Sequence, residues 1–117
     1  DISQIEVQNL PSSCYDSLQG KHTDVPSTRK IEQGVDCIYT LEEDKTFLVD
    51  KAFNRRIQIT HHHADSIVLW NPWEKTPSAM QSEGYRTMVC IETARLEKLL
   101  QFGESISAEI STLPADI

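Results

Sequence analysis

Arg86-Thr87-Met88-Val89-Cys90-Ile91-Glu92-Thr93-Ala94 sets Met88, Cys90 and Glu92 on one side of an extended chain and Val89, Ile91 and Thr93 on the other. A period of two in a β-branched, apolar run predicts a strand over 86–94. Working outward, 66–70 is a compact apolar run that predicts a central strand. Asn71-Pro72-Trp73 ends it, because proline fixes φ and removes a ladder donor. Residues 55–60 alternate, with Ile57 and Ile59 on one face and Arg56 and Gln58 on the other, and 51–54 predicts the hairpin turn before them. Residues 2–10, 35–41 and 46–50 also predict strands. Residues 11–28, rich in Ser, Pro, Gly and Asp, predict mainly loop, and 74–84 is polar and irregular. Downstream, 94–102 predicts an irregular bridge, Gly103-Glu104 a turn, and 105–111 a last strand built on Ile106, Ala108 and Ile110. Six or seven short strands with turn signals between them predict an all-β antiparallel β-sandwich.

The chain's 117 residues, 38% hydrophobic and 25% charged, suit one small domain or a piece of a larger one. It opens on Asp1 rather than Met, which predicts a processed or excised piece. A net charge of −7 offers no basic surplus to displace counterions, so a nucleic-acid backbone is not an expected partner. No stretch approaches the roughly 20 apolar residues of a membrane span, and no signal peptide is visible. Cys14, Cys37 and Cys90 are odd in number and widely spaced, which fits neither a disulfide framework nor a zinc pattern. Cys90, in an apolar run, is expected to be a buried thiol. A reducing, cytoplasmic compartment is the default, with an organellar one open because any upstream targeting sequence is out of view.

Several residues carry candidate chemistry. Glu92 is a carboxylate in an apolar strand; it either faces solvent or lines a concave site, where burial would raise its pKa and make it a proton acceptor near neutral pH. Asp36, at a strand start, is by itself a surface or turn carboxylate. Trp70 and Trp73 flank a rigid turn; such rings stack on sugar faces, and they also pack cores. His61-His62-His63 invites a metal reading, but neighbours on a strand point to opposite faces and no ligand pattern surrounds them, so a polar hairpin or loop is expected and no metal. His22, beside Asp24, is a lone loop histidine without a nucleophile signature.

Val68-Leu69-Trp70-Asn71-Pro72-Trp73, followed by Gly84-Tyr85-Arg86-Thr87-Met88-Val89-Cys90-Ile91-Glu92-Thr93-Ala94, closely resembles the hexose-6-phosphate mutarotases. These are the glucose-6-phosphate 1-epimerases of the galactose mutarotase-like superfamily. Weaker likenesses extend over most of the chain. Residues 1–10 look like the strand after the family's catalytic His, Cys14-Tyr15-Asp16 lies near a Tyr-x-Asp-like element, Val35-Asp36-Cys37-Ile38-Tyr39 looks like an Asp-Arg-Val-Tyr element, and Phe102-Gly103-Glu104-Ser105 looks like a Pro-Gly-Glu-Ser turn. The resemblance implies that 1–117 is the C-terminal part of one mutarotase-like sandwich domain, acting on a hexose 6-phosphate or related sugar without a cofactor. It implies Glu92 as the base at the anomeric hydroxyl and Asp36 as a carboxylate binding sugar hydroxyls; Trp70, by the stacking of aromatic rings on sugar faces, is the further substrate-binding candidate. It also implies that the acid, a His protonating the ring oxygen, lies upstream of Asp1, with the phosphate-binding basic residues further upstream. Two departures stand out: Cys37 occupies the place of the Arg that usually follows the Asp, and 76–83 lacks the family loop's acidic character.

Two functional readings follow. One is an enzyme that needs the missing N-terminal portion of the same fold; the other is a non-catalytic carbohydrate-binding or scaffold subunit of a larger complex. Glu92 and Asp36 favour the first, Cys37 and the 76–83 loop the second. Half a sandwich leaves sheet edges and an apolar face uncovered. The isolated 117 residues are therefore expected to aggregate, or to pair with the missing portion when it is supplied. Size-exclusion chromatography with thermal melting checks this, and a monodisperse monomer that melts cooperatively would contradict it.

Overall fold

A computed structural model of the chain describes residues 1–115. Its nine strands are β1 (Ile5–Gln8), β2 (Ser13–Asp16), β3 (Lys21–Asp24), β4 (Val35–Thr40), β5 (Lys45–Asp50), β6 (Arg55–His62), β7 (Ser66–Asn71), β8 (Cys90–Ala94) and β9 (Ser107–Pro114). They form two antiparallel sheets, one four-stranded in the order β1-β5-β6-β9 and one five-stranded in the order β3-β2-β4-β7-β8. The fold is the all-β sandwich expected from the alternation. Beyond the strands, the helical elements among the described residues are two short 3₁₀ turns, Ile2–Gln4 and Gly84–Thr87.

Alternation along each strand separates an inner from an outer face. Cys14, Val35, Cys37, Tyr39, Ile67 and Leu69 of the five-stranded sheet are buried in one cluster with Val7 of the other sheet. The outer face of the five-stranded sheet carries Asp36, Ile38, Val68, Trp70 and Cys90, all half-buried, and Glu92, which is exposed. Sandwich closure is less complete at β9, where Ile110 stays 68% exposed although its ladder partner Ile59 is buried.

Several elements differ from their sequence-based bounds. The predicted 11–28 loop contains the hairpin β2–β3. Its turn is built on the Asp16 carboxylate, which accepts the N–H groups of Leu18 and Gln19, and on Gly20 at φ 69°. Its side chains are mostly polar and exposed, so edge strands with one buried residue, Cys14, leave no apolar alternation to detect. The predicted strand over 86–94 is shorter. Residues 84–87 form a 3₁₀ turn and pairing begins only at Cys90, because the Asn71 amide holds Tyr85 and Met88 by their carbonyls. Cys90 is half-buried on the outer face rather than buried.

The histidine run is not a loop. His61 and His62 end β6, and only His63, at φ 60°, lies in the turn. His61 is 3% exposed and points inward. One ring nitrogen, Nε2, is 2.9 Å from Thr46 Oγ1 on β5; the other, Nδ1, is 2.7 Å from Thr93 Oγ1 on β8. It therefore ties the two sheets together. A neutral imidazole donates at one nitrogen and accepts at the other, which two hydroxyls satisfy in full. Protonation would remove the acceptor. His62 points to the opposite face, 3.3 Å from Glu109 Oε2. Among the described residues no group of three His, Cys, Asp or Glu is arranged to hold a metal ion, and no helix is long and apolar enough to cross a membrane.

Burial lowers the His61 pKa below its ordinary 6.5, against an opposing pull from Asp44 and with a small push from His62. The unfolded chain thus takes up this proton before the folded one. Stability from neutral His61 is present above about pH 6.5 and is lost as pH falls from there toward the lower folded value. The urea midpoint is expected to fall between pH 8 and pH 5.5 in the wild type and to fall less in His61→Gln. Equal slopes in the two proteins would contradict it.

Candidate functional site

Three residues singled out in the sequence share the outer face of the five-stranded sheet. Asp36 on β4 and Trp70 on β7 are direct cross-strand partners. Trp70 in turn lies opposite Cys90 on β8, and Glu92 is one alternation further along, opposite Val68. Trp70 is therefore a diagonal neighbour of Glu92, at the roughly 7–8 Å separation of such pairs. From strand spacing, the Asp36 and Glu92 backbones are roughly 12 Å apart. Neither carboxylate makes a hydrogen bond or ion pair with another described residue.

Asp36 and Trp70 line a cleft of ≈ 620 Å³ together with Arg29, Gly34, Trp73 and Lys75. Glu92 lies outside it. Glu92 is also exposed. Between the carboxylates the face is apolar and half-buried: Ile38, Val68, Trp70 and Cys90. Burial, and then the Glu92 charge, push the Cys90 thiol above its ordinary value. Cys90 is thus a poor nucleophile and behaves as a small hydrophobe.

Strand β8 is positioned by polar clamps. At its start, Asn71 Nδ2 donates to Tyr85 O and Met88 O, both at 2.9 Å, while Asn71 Oδ1 accepts the Trp73 N–H at 2.7 Å. On its inner face, Thr93 meets His61. Past its end, Asp65 accepts the N–H groups of Leu96 and Lys98 at 2.8 Å and the Ser66 hydroxyl, and it pairs with Arg95. Burial alone would raise the Asp65 pKa, but these donors bring it down to about 2. Arg95 also reaches Glu104 at 3.4 Å, folding the 94–104 bridge against the end of β8.

Behind the face, Arg29 Nη1 donates to Cys37 Sγ and to Tyr39 Oη, each at 3.3 Å. A guanidinium from the 25–34 segment thus stands at the position where the resemblance led one to expect an arginine on β4 itself. Burial pushes the Tyr39 hydroxyl up to about 12 in spite of this cation. Sequence reasoning had no means to find Arg29, because a loop residue carries no periodicity.

Trp73 sits at φ 55°. The other non-glycine residues in this region are Asn9, Asn54 and His63, types that tolerate it; a bulky aromatic enters it at a cost of about 1–3 kcal/mol. The Asn71 hydrogen bond and a ring contact with Tyr85, centroids 4.9 Å apart, hold it there.

Asp36, Trp70 and Glu92 thus stand on one sheet face of a two-sheet antiparallel sandwich. The aldose 1-epimerase family pattern matches residues 1–112, and the chain belongs to that family. It is 52% identical over 111 residues to a Haemophilus influenzae protein provisionally named glucose-6-phosphate 1-epimerase, covering 95% of this chain and 41% of that protein. A Cenchrus ciliaris protein of the same provisional name is 33% identical over 84% of the chain and 32% of its own length. The crystal structure of HI1317 matches with a TM-score of 0.93 at 51% identity, covering 97% of this chain and 42% of that one. That of YeaD from Salmonella typhimurium, provisionally a mutarotase, matches at 0.73 and 26% identity, over 96% of this chain and 40% of that one. The chain thus spans about two fifths of the first of these relatives.

Asn71→Ala would leave two carbonyls and one N–H without partners. At about 1–3 kcal/mol for each buried group left unmet, with partial relaxation, the loss is expected to be about 3 kcal/mol in urea unfolding of the full-length protein. An unchanged midpoint would show that the clamp is dispensable.

Proposed function

We propose that this chain forms the C-terminal part of a single-domain hexose-6-phosphate 1-epimerase and supplies one wall of its sugar site. The observation that carries the reading is the common outer face of Asp36, Trp70 and Glu92, with both carboxylates unengaged among the described residues. Anomer interconversion needs little beyond proton transfer. Glu92 takes the proton from the anomeric hydroxyl as the ring oxygen is protonated by an acid, the ring opens, the C1–C2 bond rotates, and the reverse transfers close it. In this reading Asp36 accepts hydrogen bonds from ring hydroxyls and Trp70 lies against the sugar. The acid is a His outside residues 1–117, consistent with the greater length of the relatives. Burial of Glu92 by that remaining part and by the sugar would supply the environment a general base needs.

A second reading, a non-catalytic carbohydrate-binding or scaffold subunit, draws on Cys37 in place of arginine. The Arg29 guanidinium beside Cys37 Sγ weakens it, since a cation stands there after all.

The test is anomer exchange on glucose 6-phosphate, followed by NMR with the full-length protein. Acceleration over buffer is expected, with Glu92→Gln lowering kcat by about 10²–10⁴, the range for removing a general base. No acceleration by the full-length wild type would overturn the enzyme reading. A stable copurifying complex in that case would favour the scaffold.

A further inference from the structure

The backbone strain at Trp73 has a spatial result. Trp73 lines the ≈ 620 Å³ cleft that holds Asp36 and Trp70. It equally lines a neighbouring cleft of ≈ 480 Å³ formed with Asp1, Ile2, Tyr85 and Arg86. Trp73 is the residue common to both, the partition between them. Its ring meets Tyr85 at 48° rather than stacking on it, and the residue is half-buried. Pro72 stiffens the approach and Asn71 Oδ1 grips the Trp73 N–H, so the Trp73 backbone is held before any ligand arrives, and the ring rests against Tyr85.

We propose that Trp73, rather than serving only as packing, is a specificity-determining wall for the sugar: it contacts the C–H face of a pyranose whose hydroxyls are held by Asp36. This rests on the epimerase reading above. Three observations point the same way. A tryptophan alone among the non-glycine left-handed residues is not of a type that favours that conformation. It shares a cleft with a carboxylate lacking a partner among the described residues and with a second indole. Its position is set by the side chain, Asn71, that also sets the start of the Glu92 strand, so one amide places the sugar wall and the base strand in register. Aromatic faces favour C–H edges through their negative quadrupole, and a wall fixed in advance spares the ordering cost on binding.

The test uses the full-length protein labelled with 5-fluorotryptophan. The Trp73 ¹⁹F resonance is assigned by its absence in Trp73→Phe. Glucose and glucose 6-phosphate are expected to shift it saturably, and inorganic phosphate alone to leave it in place. Trp73→Gly frees the strained φ and removes the ring. It is expected to raise KM about ten-fold with kcat within about three-fold, Trp73→Phe falling between, as the worth of one aromatic contact implies. A Trp73 resonance unmoved by glucose 6-phosphate in a protein that turns it over would overturn this inference alone, as would an unchanged KM in folded Trp73→Gly. If Trp73→Gly fails to fold, Trp73→Phe and the wild-type titration still decide it. A full-length wild type with neither binding nor turnover overturns the epimerase reading and this inference together.

Discussion

Strand β8 pairs on one side only, with β7, among the described residues. An edge strand five residues long has few ladder hydrogen bonds to fix it. Its place is therefore set by side chains on other elements: Asn71 before it, His61 through Thr93 beneath it, and Asp65 after it. Each of the three saturates its polar atoms inside the structure, which is what makes a polar group worth more than an apolar one at such a place. An apolar contact would hold the strand at the right depth but allow it to slide, and a slip of one residue would turn Glu92 inward. Directional hydrogen bonds to Met88 O, Thr93 Oγ1 and the Lys98 N–H define its position along the strand axis as well.

The same requirement explains why Trp70-Asn71-Pro72-Trp73 and the 84–94 segment read as one signal although a polar loop separates them. Asn71 is the covalent end of β7 and the hydrogen-bonded anchor of β8. Its partners at Tyr85 and Met88 are backbone carbonyls, so the intervening 74–83 segment can vary in sequence provided it returns the chain to the same two oxygens. Gly84 belongs to this return: a Cβ there would lie 2.7 Å from Met80 Cγ.

Legibility in the sequence followed burial. Strands β4, β6 and β7 were visible because apolar residues at alternate positions face inward: Val35, Cys37 and Tyr39 on β4, Ile57 and Ile59 on β6, and Ile67 and Leu69 on β7; β5 turns Thr46, Leu48 and Asp50 inward. The β2–β3 hairpin was invisible because of its eight strand residues only Cys14 is buried. The end of β6 was misread because a histidine inside looks the same in sequence as a histidine outside. Only the two threonine hydroxyls, one of them 32 residues away, make His61 an interior residue. At the site, the alternation that placed Met88, Cys90 and Glu92 together gave the side of β8 on which Glu92 lies. It could not give the neighbours across the sheet, since which strands adjoin is a matter of topology, not period. The family likeness pointed to Asp36 and aromatic chemistry to Trp70, while Arg29 and the strain at Trp73 came from the structure.

The geometry of the outer face favours division of labour between its two carboxylates. Groups on backbones roughly 12 Å apart across two strand spacings cannot share one proton, as a close dyad does. In the epimerase reading proposed above, one binds hydroxyls while the other exchanges a proton, each at its own end of the face. Trp70 occupies the interval between them, half-buried and apolar, with Ile38 and Val68 alongside. The inner face is closed by Tyr39, Leu69 and Ile67 and can serve only packing. The alternation of the sheet thus assigns packing to one set of residues and sets the other on the outer face, and the polar clamps on β8 keep those two assignments from being exchanged.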